Sequence, residues 1–182
     1  MAKFLLSLHV LVSVLFIGPV AVAVSMFPAR ARAALAGGPD LASETGSVRV
    51  LHRITQVYAM LGLAVPVLGI GLAQVMGVLG QPWLIVSMVL TALAALSLLL
   101  FVLPAQQAAV DALGPAAAAE GAPAVEGAPV AVAGTADGAG DQERARAVQG
   151  LRLLPMTAGV FNLLWAVVVV LMVIRPGSST GV

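Results

Sequence analysis

The sequence predicts an all-α polytopic membrane protein, a bundle of four antiparallel transmembrane helices forming a single membrane domain over residues 1–182. Three observations carry this expectation. Of the residues, 60% are hydrophobic and only 9% charged, against roughly 25% charged in a soluble domain, whose surface must face water. Four windows, residues 4–27, 54–80, 83–103 and 153–174, contain no Asp, Glu, Lys or Arg, and each matches the about 20 apolar residues that a helix needs to cross a bilayer. None shows the two-residue alternation of a membrane barrel. Helices then follow, because every backbone N–H and C=O in lipid must be paired within its own segment.

The first window follows Lys3 and precedes Ala31, Arg32 and Ala33, a combination that could pass for a signal peptide. Its apolar run of 24 residues exceeds the roughly 7–15 of a signal core, so a retained span is expected. Pro19 and Pro66 stand inside their windows, where each frees a carbonyl and favours a kink. Between the second and third windows Leu79, Gly80, Gln81 and Pro82 form a tight turn, which makes an antiparallel hairpin.

The other two connections are longer, residues 28–53 and 104–152. The latter holds a low-complexity segment, 117–140, in which 121–126 is nearly repeated at 127–132. It offers no large side chains to bury and is expected to be disordered. Past it, Asp141 and Glu143 precede Arg144 and Arg146, the charge order a helix dipole prefers. A short surface helix over 141–150, leading into the fourth span, follows. The two long connections share one side and carry Arg30, Arg32, Arg49, Arg53, Arg144, Arg146 and Arg152, seven of the nine basic residues, leaving Lys3 and Arg175 for the other. The positive-inside rule then puts both connections in the cytoplasm and both termini outside, in a bacterial inner membrane.

A net charge of +1 and 4% aromatic residues give a nucleic acid neither counter-charge nor a stacking platform. Absence of cysteine excludes disulfides, thiolate metal sites and cysteine nucleophiles. What remains is the small set of polar side chains inside the spans, each costly in lipid and each a candidate. His9, Gln74 and Asn162 ask most plainly for partners, since serine and threonine hydroxyls can bond their own helix carbonyls. Gln74 and Asn162 facing inward would line a small cavity or bond between helices, the second being the simpler outcome. The stripe Gly69, Ala73, Gly77 has the spacing that lets another helix approach closely.

Two readings of His9 stand: a neutral imidazole bonded to a neighbouring helix, or a functional group, either a ligand for haem b or copper or a proton acceptor. At about 1.5 Å per residue His9 and His52 differ in depth by roughly 20 Å, so one haem cannot take both. Depth instead groups His9 with Met76, Met88 and Met172, a soft set suited to Cu(I) or a His/Met haem. Met26, Met60 and Met156 fall in the opposite leaflet in equal number, which is how packing methionines distribute. No span holds an acid, a base and a nucleophile together, so no catalytic residue is expected.

The opening Leu8-His9-Val10-Leu11, with Phe16 and Gly18 completing a His-x6-aromatic-x-Gly phrase, resembles that of a family of bacterial predicted integral membrane proteins of unknown function. It is more loosely similar to the copper-resistance D-like membrane proteins. The latter usually carry Trp where Phe16 stands, and of their further histidines this chain has a counterpart only in His52. The resemblance implies four spans with a basic first loop and no established activity. The function expected from the whole is that of a non-enzymatic accessory component associating with other membrane proteins or with itself. Alternatives are a haem- or copper-handling protein using His9 and, lacking an intramembrane charge to couple to an ion, a small-solute transporter.

Overall fold

The computed structural model describes residues 2–114, 137–174 and 176. Six α-helices and one π-helical turn build four membrane-length rods. These are α1 (Ala2–Ala36), α2 (Leu41–Gly62) running into α3 (Ala64–Met76), α4 (Pro82–Ser97) continued through a π-turn (Leu98–Val102) into α5 (Leu103–Ala112), and α6 (Asp137–Ile174). All four are long and apolar enough to cross a bilayer. The protein is an all-α four-helix bundle of membrane type, as its composition predicts.

The four apolar windows lie within these rods, but the rods outrun them. The connection expected over 28–53 is almost wholly helical: α1 runs to Ala36 and α2 begins at Leu41, leaving residues 37–40 as the turn. Buried apolar residues explain the extension, since Ala31, Ala34 and Val48 join the main core. Likewise Pro104 does not end the third rod. Proline at 104 has no N–H for the Leu100 carbonyl, and the helix absorbs the misfit as the π-turn before continuing to Ala112. The expected helix over 141–150 exists and is continuous with the fourth span. Most of the low-complexity segment 117–140 lies outside the described residues.

Pro66 acts as expected. The chain breaks at Leu63, where the Leu63 N–H turns back to the Met60 carbonyl, so the second span is two helices. Pro19 leaves α1 uninterrupted. The α3–α4 turn closes with Gly77 at φ +69°, the Val78 N–H on the Ala73 carbonyl and the Gly77 N–H on the Gln74 carbonyl. This is the left-handed helix stop that glycine adopts without penalty. Beyond the turn, α3 packs mainly on α1 and α4 mainly on α6, while at the opposite end α2 meets α5. The second and third spans are thus joined at one end and laterally paired at the other.

A continuous core of Val20, Val24, Phe27, Leu98, Val102, Leu154 and Phe161, among others, fills the half nearer the arginines. The outer faces stay apolar and exposed, Val14, Met60, Val67, Leu100 and Leu163 among them, as rods surrounded by lipid require.

Candidate functional site

Most of the polar side chains inside the rods that make a contact fall into three groups. The first is structural. Ser7, Ser25, Ser87, Thr91 and Thr157 donate to carbonyls three or four residues back, and Ser13 donates 2.7 Å to the His9 carbonyl, not to its ring. Asn162 on α6 donates 3.1 Å to Ser25 Oγ on α1, the interhelical bond its position predicts.

His9 is the second. Its side chain is buried, 5% exposed, with the ring beside the Val65 backbone, while Nδ1 meets no partner among the described residues. Gly69 makes the seat: a Cβ there would stand 3.1 Å from His9 Cε1. The stripe Gly69, Ala73, Gly77 therefore does three different jobs. Gly69 admits the imidazole, Ala73 is buried with Trp83 and Leu84, and Gly77, with nothing within 4 Å of its Cβ position, ends the helix. The methionines grouped with His9 by depth are dispersed around the bundle. Met88 is 42% exposed on α4, Met172 packs on the Ala73–Trp83–Leu84 cluster and Met76 closes α3 half-buried.

A third group escaped the sequence reading. His52 on α2 is buried against α5, its Nε2 2.8 Å from Gln107 Oε1 and its Nδ1 3.2 Å from Gln106 Oε1. Gln107 in turn donates 2.7 Å to Asp111 Oδ1, which fixes its oxygen towards the ring, so His52 Nε2 carries the proton. Gln106 is wholly buried. The π-turn sets this up: buried Ala94, Leu98, Val102 and Gln106 recur every four residues, a spacing that drifts around an α-helix and stays in line through a wider turn. The signal in the sequence was the Gln107/Asp111 pair at i, i+4, hidden in a segment read as loop. His52 and Gly69, the seat of His9, are 17 residues apart along one rod, roughly 25 Å, so the two imidazoles serve separate places.

Near the middle of the bundle all four rods border a cavity of about 50 Å³, with Tyr58, Gly62, Pro66, Thr91 and Trp165 in its wall. That is room for a few waters. Tyr58 stacks edge-on against Phe16 at 6.5 Å. Among the described residues no three His, Asp or Glu side chains gather as a metal site would need. No protein-family model matches the chain, and neither a curated protein nor a solved structure does.

Proposed function

We propose that the protein is a non-enzymatic membrane component that associates within the bilayer with another membrane protein through the outer face of α3. One observation carries this reading. Gln74, expected to face inward, is exposed on α3 and makes no hydrogen bond among the described residues. Val67 and Ile70 are exposed beside it, as is Gly71, whose Cβ position is open. Val67, Gly71 and Gln74 follow the i, i+4, i+7 spacing of one helical face. An amide turned towards lipid beside a glycine is what a neighbouring helix can pair with and approach closely.

Because the chain has no cysteine, single cysteines report one position each. Cysteines at 67, 71 and 74 should cross-link in native membranes to a second protein, and a cysteine replacing outward-facing Met88 should not. Adducts of twice the chain mass would make the partner a second copy. Gln74→Leu should abolish co-purification in mild detergent, and unchanged recovery would overturn the reading.

A haem- or copper-binding role is favoured by one feature, the buried Nδ1 of His9, which meets no partner among the described residues. The resemblance of the opening phrase to copper-resistance D-like proteins points the same way. Metal analysis and an absorption spectrum of the purified protein decide it. Transport of a solute is disfavoured by the small central cavity.

The protein is proposed to lie in a bacterial inner membrane with both termini outside. Support comes from the uneven basic residues, seven on the side of the two long connections against Lys3 and Arg175 on the other. A reporter active only in the cytoplasm should stay silent when fused after Val182, and strong activity there would reverse the orientation.

A further inference from the structure

We infer that the arginine-rich end of the bundle carries a binding site for one anionic phospholipid, held by its phosphate in the cleft between α1 and α6. The cleft is open, about 330 Å³, and lined by Arg32, Leu35 and Ala36 of α1 and by Val148, Leu151 and Arg152 of α6. Two guanidinium groups and four apolar side chains form the wall, with no carboxylate among them. This is the chemistry of a lipid headgroup joined to its acyl chains.

The site is built from the sequence. Pro155 has no N–H, so the carbonyl four residues earlier, Leu151, lacks its helical donor. Arg32 Nη2 supplies one at 3.2 Å. That bond anchors the guanidinium across the two helices and uses one of its five N–H groups, leaving the others free to meet phosphate oxygens. Arg152 lies one residue from Leu151 on the same rim.

Depth points to a lipid as the source of the phosphate. Arg152 immediately precedes the apolar window 153–174, and Arg32 follows the end of window 4–27 by five residues, about 7.5 Å of helix. Two rods independently place the guanidinium groups where a leaflet carries its phosphates, whichever leaflet it is. Among the other described arginine side chains at this end, Arg146 is exposed on α6 and is not part of the cleft lining. Arg49 is bonded to the α5 terminus and Arg30 to Glu44, while Arg53 is exposed on α2 and lines no part of the cleft.

The test is native mass spectrometry of delipidated full-length protein titrated with phosphatidylglycerol or phosphatidylcholine, with wild type, Arg152→Gln and Arg53→Gln compared. Wild type should retain a first phosphatidylglycerol in preference to phosphatidylcholine. Arg152→Gln should weaken that first binding about fivefold, the effect of one interfacial arginine on an anionic lipid, with Arg53→Gln close to wild type. Arg32→Gln also removes the Leu151 bond and can unsettle the fold, so Arg152→Gln carries the test. Equal losses from Arg152→Gln and Arg53→Gln would reduce the effect to diffuse charge and overturn the site. Displacement of the lipid by millimolar inorganic phosphate would make it a soluble-anion site and overturn the lipid assignment.

Discussion

Replacing Gly69 with alanine should lower the melting temperature of the wild-type bundle and raise it once His9 has been replaced by alanine. A Cβ at position 69 would stand 3.1 Å from His9 Cε1, tighter than most packed carbons, and the ring has little room to retreat because it is buried beside the Val65 backbone. Overpacking of this kind costs about 1–3 kcal/mol. Without the imidazole the same methyl group meets no obstacle, and alanine in a helix interior is about 1 kcal/mol better than glycine. Melting of the four proteins in one detergent measures the inversion of sign. An alanine at 69 that stabilises both backgrounds equally would mean that the imidazole does not sit on this glycine. His9→Leu belongs to the same experiment. It should destabilise the bundle, since it removes the imidazole seated against α3, and would also remove any chromophore bound at Nδ1. A His9→Leu protein as stable as wild type, with no ligand lost, would sink both roles considered for this residue.

The four-rod architecture was legible because lipid imposes it: a window of twenty or more residues without a charge has no other way to cross. The same reasoning hid the rods' true length. Residues 28–36 and 41–53 carry four arginines and read as loop to a hydropathy argument, yet Ala31, Ala34 and Val48 bury one face of each helix beyond the apolar stretch while the arginines face out or cap neighbouring carbonyls. Pro104 misled in the same direction. Proline usually marks a helix end, and nothing in the sequence says that a π-turn will absorb it. That one unforeseen turn concealed Gln106 and Gln107, and with them the partners of His52. His52 itself shows in the sequence only as an imidazole too far in depth from His9 to share a haem with it. Gln74 failed for a different reason. Polarity identifies a side chain that needs a partner, but only the packing of α3 on α1 decides that it turns away from the bundle.

Removing the imidazole of His52 should be among the most costly single changes at the arginine-rich end. His52 joins α2 to α5, and Gln106 beside it is wholly buried, so His52→Leu strands an amide where water cannot reach it. A buried polar group left without its partner costs about 1–3 kcal/mol. Gln106→Leu strands His52 Nδ1 and should cost a comparable amount. The double variant His52→Leu/Gln106→Leu should lose less than the sum, because both ends of the bond are then apolar and only Gln107 is left. Gln107 is exposed and keeps its bond to Asp111, so it can turn to water at little cost, and Gln107→Leu alone should be mild. The two ends of an amide have the same shape. A half-turn of Gln106 therefore presents its Nε2 to His52 Nδ1, and Gln106→Glu, which cannot donate when ionised, should behave like Gln106→Leu or worse. Thermal melting in detergent of the singles and the double supplies the coupling energy directly. Strict additivity would show that His52 and Gln106 do not share a bond, and the contact that closes this end of the bundle would then have to be sought in the apolar packing of Val48 and Ala109 alone.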